Sequence, residues 1–254
     1  MKSMTFTAGQ VDGLREHFEN SAFDYQKTWY RVGLTGTDRS LTKSRQIGDD
    51  WLFAFESLLD AITTGHNQHF LTCSRNSALN TCTYIAEFCR VVGVNMSPFS
   101  PSNMLLGNGA LIAFHGENSY AAAHAGNVYL GEYAWAKNPR SILQMAKGMA
   151  MHKKHRLTLY TTPSRSNTAF KIWNGSLRRP RKIAPVIHTD NGVFCADGVF
   201  RQSVTADDAI QQGGTLWEKD WDKDWLKKHM TADDFRLLYL CDWSQAANSA
   251  GEMK

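Results

Sequence analysis

"KSRQIGDDW", residues 43 to 51, decides how the chain is read. A lysine, a few small or polar residues and a glycine lead into a helix start, the rhythm of a loop whose backbone N–H groups cradle phosphate. Upstream, "RSLTKSR" (39 to 45) is strand-like; downstream, "WLFAFESLLDAITTG" carries apolar residues at helical spacing and stops at Gly65. Where such a loop usually offers a hydroxyl to a metal-bound triphosphate, this chain has Asp49 and Asp50. Two readings of the pair stand open. The carboxylates cap a helix N-terminus, where acids are favourable; or Asp50 holds magnesium directly, since that ion accepts carboxylate oxygens. Without a cation, one charge about 4 Å from a phosphate charge costs roughly 4 kcal/mol at an effective dielectric near 20.

Working outward, "HFLTCS" (69 to 74), "ALIAFHG" (110 to 116), "NVYLGEYAW" (127 to 135) and "RLTLYTTPS" (156 to 164) read as strands. Helical patterns lie between them, including "NSALNTCTYIAEFCRVVG" and "SILQMAKGMAMHKK". This alternation predicts an α/β fold, a mostly parallel sheet sandwiched by helices, with chemistry at the carboxyl ends of the strands. The character changes after about residue 185: "GVFCADGVFRQSV" predicts a hairpin about Asp197-Gly198, followed by acid-capped helices "TADDAIQQGG" and "TADDFRLLYLCDW". The expected organisation is a domain over 1–184 and a small appended subdomain over 185–254.

With 254 residues and 43% hydrophobic content, the chain can bury one large core. Five cysteines without a CxxC pair suit a reducing cytosol and buried thiols. No apolar leader or membrane-length run appears, so a soluble cytoplasmic protein is expected. The formal charge is +4, with basic runs at "MHKKHR" (151 to 156) and "LRRPRK" (177 to 182) that suit a polyanion contact. His115 and His124 lack metal-ligand spacing and read as structural. Trp217, Trp221 and Trp225 recur every four residues, an aromatic helix face for packing.

"KSRQIG" alone is a weak motif; its company strengthens it. "VYLGE" (128 to 132) ends a strand in an acid, and "TTPS" (161 to 164) ends another in hydroxyls. Together with "YQKTW", "LLDAITTGHNQHFLTCS", "GMAMHKKHRLTLYTTPS" and "CADGVFRQSVTADDA", these motifs make the chain resemble the large, ATP-driven subunit of tailed-phage terminases from about Phe23 to Trp243. The resemblance implies a P-loop NTPase-like domain of the DNA-packaging motor, with ATP and magnesium as cofactors. It implies terminase subunits, the portal or other phage proteins as partners, contact with DNA, possible self-association, and a bacterial host cytoplasm.

Carried over by position, the resemblance makes Lys43 the phosphate lysine of a deviant Walker A motif, with Ser44, Gln46 and Gly48 in its loop. Arg45 becomes a second phosphate-facing cation, and Tyr25 and Gln26 are placed at the adenine. Glu132 becomes the acid that polarises water; Thr161, Thr162 and Ser164 form the segment that senses the γ-phosphate. Arg178, Arg179, Arg181 and Lys182 are the basic residues expected to meet DNA. Two positions depart from the family: Asp50 stands where a magnesium-binding hydroxyl is expected, and Gly131 where an aspartate precedes the glutamate. Nor is there room for a nuclease domain between Trp243 and Lys254. The expectation is therefore an ATPase-like protein that hydrolyses ATP weakly or not at all and does not cut DNA. The alternative is a non-catalytic decoy or regulator that binds terminase, portal or DNA, encoded by a prophage remnant, satellite or anti-phage locus.

Overall fold

The computed structural model describes residues 3–96, 103–119, 124–177, 192–213 and 223–248. In chain order the elements are α1 (Ala8–Ser21), α2 (Asp24–Leu34), β1 (Arg39–Lys43), α3 (Asp49–Thr64), β2 (Gln68–Thr72), α4 (Arg75–Val91), β3 (Asn103–Leu105), β4 (Leu111–Gly116) and β5 (Asn127–Gly131). A single 3-10 turn (Tyr133–Trp135) precedes α5 (Pro139–Met149), β6 (Leu157–Thr161), α6 (Asn167–Trp173), β7 (Val193–Phe194) and β8 (Phe200–Val204). Four short helices follow: α7 (Ala206–Gln211), α8 (Lys223–His229), α9 (Ala232–Tyr239) and α10 (Ser244–Asn248).

The eight described strands form one sheet in the order β3-β4-β2-β5-β6-β1-β8-β7. The six central strands are mutually parallel, and only the edge strands β3 and β7 run antiparallel. Helices cover both faces, as parallel strands require. One face packs on Phe18, Trp29, Phe53, Phe55 and Phe88; the other on Leu71, Leu130, Ile142, Trp173 and Trp243.

Three sequence readings are corrected in detail. "NVYLGEYAW" leaves the strand after Gly131, because Glu132 turns into the left-handed region (φ 51°) and the 3-10 turn follows. The helix expected through Lys154 stops at Met149, leaving His152 to His155 in a turn closed by the His155 N–H to the His152 carbonyl, 2.9 Å. The hairpin about Asp197-Gly198 forms, but its second strand, β8, lies beside β1 in the main sheet from Arg39↔Phe200 to Lys43↔Val204. The helices beyond it gather a small core of their own from Ala206, Leu226, Phe235 and Tyr239.

A buried charge cluster sits at the amino end of β1. The fully buried Arg39 guanidinium donates to both Glu56 carboxylate oxygens (2.5 and 2.8 Å), to the Thr158 hydroxyl and to the Trp29 carbonyl. Arg156, the residue before β6, meets Glu56 at 2.8 Å and Asp60 at 2.9 Å. Two cations hold the Glu56 carboxyl below its usual range against the opposing effect of burial.

Candidate nucleotide site

At the carboxyl end of β1 the chain curls through two left-handed residues, Gln46 (φ 59°) and Gly48 (φ 77°), and enters α3. Gly48 is the N-cap, a backbone shape that a residue with a Cβ would adopt only with strain. The loop is braced from three directions. From α2, the buried Tyr25 hydroxyl donates to the Ile47 carbonyl, and Gln26 Nε2 donates to the Gly48 carbonyl at 2.8 Å. From β8, the Val204 carbonyl accepts the Ser44 N–H at 2.8 Å; from α9, the Leu238 carbonyl accepts the Arg45 N–H at 3.1 Å. Ile47 is fully buried and anchors the loop. Arg45 and Gln46 are exposed, and the Arg45 guanidinium stands 5.7 Å from the centre of the Trp135 ring. These contacts show Tyr25 and Gln26 supporting the loop from beneath.

Lys43 ends β1, buried, with its ammonium between two acids: Glu132 Oε1 at 2.6 Å and Asp49 Oδ1 at 3.2 Å. Burial works against the charge, but Asp49, Glu132 and Asp50 together hold the Lys43 pKa above its ordinary value. The Glu132 carboxylate is further engaged by the Thr162 N–H at 3.0 Å and by the Thr161 and Thr162 hydroxyls, each at 3.3 Å. Ser164, the last of the hydroxyl segment, donates instead to the Ala134 carbonyl at 2.7 Å. The strand order explains the meeting: β6, bearing Thr161 and Thr162, lies between β5 and β1.

The side chains of the two aspartates are engaged within the cleft. No side-chain cap bond is made at Gly48; Asp49 is drawn to Lys43, while Asp50 Oδ1 accepts from the Tyr160 hydroxyl at 3.2 Å. Tyr160 reaches Asp50 because residue 131 has no side chain. An ideal Cβ at Gly131 would lie 2.7 Å from Tyr160 Cζ and from its hydroxyl oxygen. The phenol thus fills the volume that a side chain at 131 would enter. Burial, then repulsion from Asp49 and Glu132, raises the Asp50 pKa to about 7, while burial also raises that of Asp49.

The fold family implies magnesium with nucleotide, and these side chains as arranged do not fit that ion. The Lys43 ammonium occupies the space between Asp49 and Glu132, Asp50 is held by Tyr160, and no group of three or more metal-binding side chains could hold a cation among the described residues. His115 Nε2 is 3.2 Å from His69 Nδ1, whose pKa falls to about 4 through burial and neighbouring imidazoles. Trp225 is half exposed and stacks on His229, ring centres 4.0 Å apart; Trp217, Trp221, Arg178, Arg179, Arg181 and Lys182 lie outside the described residues. No helix among the described residues is long and apolar enough to cross a membrane.

A parallel sheet with a glycine-ended loop leading into a helix, a lysine at the loop's start and an acid two strands away defines a P-loop-type nucleotide-binding fold. Within that class, residues 40–251 match the family "Terminase large subunit, T4likevirus-type, N-terminal", and the chain belongs to it. It is 37% identical over 253 residues to the terminase ATPase subunit of Escherichia phage P2, covering 95% of this chain and 42% of that protein. It is 34% identical over 248 residues to the probable terminase ATPase subunit of Haemophilus phage HP1, covering 93% and 40%. The chain therefore spans about two fifths of the length of these curated relatives. In fold it is similar to the large terminase of a thermophilic bacteriophage in complex with ADP: TM-score 0.59 and 12% identity over 94% of this chain and 54% of that one.

Proposed function

We propose that this chain is a terminase-type ATPase domain of phage DNA packaging whose nucleotide cleft is closed on itself by ion pairs, so that Mg-ATP binds poorly and hydrolysis is weak or absent. The observation that carries this reading is the Lys43 ammonium held by Glu132 and Asp49. In phosphoryl transfer nearly all catalysis is electrostatic positioning. Here the phosphate cation and the water-polarising acid neutralise each other, and the two metal-holding positions are occupied by Asp50 and Gly131. An entering triphosphate must break the Lys43 contacts and meet Asp49 and Asp50 at the helix start. Partners on this reading are other terminase subunits, the portal and DNA, the last through the basic run that includes Arg178, Arg179, Arg181 and Lys182.

Calorimetry with Mg-ATP tests the reading on the unaltered protein, Asp50→Thr, Gly131→Asp, the pair, and the pair with Tyr160→Leu. Both family positions act on one metal ion, so the pair should gain more than either single change. The triple variant should gain most, because Tyr160 no longer obstructs residue 131. Micromolar binding by the unaltered protein, abolished by Asp50→Thr alone, would show that Asp50 is a metal ligand and would overturn the reading.

A second reading keeps the fold and discards the chemistry: a regulator that joins or blocks a working motor. What favours it is that the bonds bracing the loop, from Tyr25, Gln26, Val204 and Leu238, are all made while the charges within it are self-paired. Adding the chain to an active packaging motor should then lower that motor's ATPase rate; an unchanged rate at saturating chain would reject this role.

A further inference from the structure

The basic run at 151 to 156 folds into a site that the nucleotide cleft does not use. Because α5 ends at Met149 and β6 begins at Leu157, His152, Lys153, Lys154 and His155 lie in a turn at the amino ends of the strands. They face His66 and Asn67, which precede β2, and Ala125, which precedes β5, across a cleft of about 400 Å³. That volume is within the usual range for a small-molecule site. Five-residue strands separate it from Lys43 and Glu132 by roughly 16 Å at about 3.3 Å per residue.

Among the described residues the lining is basic and holds no carboxylate. Lys153 and Lys154 are exposed and form no ion pair with an acid among the described residues. The His155 ring lies 5.1 Å from that of His66 and 6.1 Å from that of His152, each pair edge-on. His155 is 9% exposed, and its Nδ1 is buried with no hydrogen-bond partner. Asp60 on α3 is the acid facing this ring, and it is already engaged by Arg156, Asn127 and Gln68. Asn67 is also engaged, donating to the Ala125 carbonyl and accepting from Leu111.

We infer that the cleft formed by His66, His152, Lys153, Lys154 and His155 binds a phosphate-class anion, either a free phosphorylated molecule or the backbone of a nucleic acid. The two ammonium groups at the opening repel cations, and among the described residues the imidazoles do not converge in a metal-binding set. Burial and then the neighbouring His66, Lys154 and His152 lower the His155 pKa to about 4, while Asp60 pulls weakly the other way. A bound anion offsets this repulsion and favours the charged ring, so binding takes up protons and strengthens as pH falls. The lysines supply the attraction at neutral pH, whereas Arg156 behind the ring is already paired with Glu56 and Asp60.

Imidazole NMR on the 254-residue chain tests this, with inorganic phosphate and then a 20-base-pair duplex as probes, at constant ionic strength in sodium chloride. Phosphate should raise the titration midpoint of His155 by about half a pH unit or more and move the ring resonances of His66 and His152, and Lys153→Gln with Lys154→Gln should weaken binding several-fold. A shift with duplex as well as phosphate identifies the nucleic-acid backbone as the source; a shift with phosphate alone identifies a small phosphorylated ligand. No shift with either probe, shifts equal in the double variant and the unaltered chain, or a response to zinc in place of phosphate would each overturn the inference. Both lysines are exposed, so the variant leaves the core intact; Cys73→Ser, distant from the cleft, should titrate as the unaltered chain does.

Discussion

Gly131→Asp, the change that restores the family's acidic pair, should destabilise this protein. An ideal Cβ at 131 lies 2.7 Å from Tyr160 Cζ and from its hydroxyl oxygen, and 3.1 Å from Cε2. Tyr160 has little room to retreat: it is 1% exposed and packs on Phe53, ring centres 4.6 Å apart. Overpacking of this kind costs about 1–3 kcal/mol, and the new carboxylate also stands close to Asp50. A loss of about 2 kcal/mol lowers Tm by roughly 4–8 °C in a chain of this size. Urea unfolding of the unaltered chain, Gly131→Asp, Tyr160→Leu and the double variant isolates the contact. Removing the ring should relieve the clash, giving a coupling of about 1 kcal/mol or more. If Gly131→Asp costs under about 0.5 kcal/mol and the two changes simply add, Tyr160 does not fill the space at residue 131 and the account of the cleft fails.

Three further outcomes are expected. Glu56→Ala strands the buried Arg39 guanidinium, leaves Arg156 with Asp60 alone and should cost about 3–5 kcal/mol, whereas Arg165→Ala, which breaks an exposed pair with Asp234, should cost under about 1 kcal/mol; denaturant midpoints compare them. Asp50 has a folded pKa near 7 against 3.8, so its contribution to stability is complete below the lower value and is lost as pH rises through about 7. Asp50→Asn should accordingly flatten the decline of Tm between pH 4 and 7. Finally, replacing Arg178, Arg179 and Arg181 by alanine should reduce the slope of log DNA affinity against log salt, measured by fluorescence anisotropy; an unchanged slope removes these residues from the contact.

The frame of the site was legible because it is local. Lysine, glycine and apolar periodicity from residue 43 to 65 specify a strand, a loop and a helix without help from elsewhere. Glu132 at a strand end follows from the strand-like run "VYLG" (128 to 131) before it. The state of the site was not legible, because it is made by distant pairs. Tyr160 and Gly131 are 29 positions apart, and nothing in either segment announces that one side chain fills the space left by the other. Tyr25 and Gln26, which the resemblance places at the adenine, also donate to loop carbonyls, a role set by the turn of α2 that no motif announces. A signal did exist for the charge cluster: Glu56 interrupts an apolar helix, "LFAFESLL", and a buried acid needs buried cations. Nothing, however, pointed to Arg39 and Arg156 as the two that supply them. The placement of β8 beside β1 was hidden for the same reason, since parallel neighbours need not be near in sequence.

The position of β1 in the sheet has a consequence for how the protein comes into being. The strand that carries Lys43 takes its neighbours from residues 157–161 and 200–204, both far downstream. During synthesis at about 5–20 residues per second, the roughly 160 residues between Lys43 and Val204 take on the order of 10–30 s to appear. Until residue 161 is made the nascent "RSLTK" segment has no partner on either side, and until residue 204 is made it has β6 alone. Pairing of this kind is slow because loop-closure entropy opposes it before any contact forms. The phosphate loop therefore takes shape among the last features of the domain, and a ribosome-bound chain truncated before residue 200 should leave it open to protease.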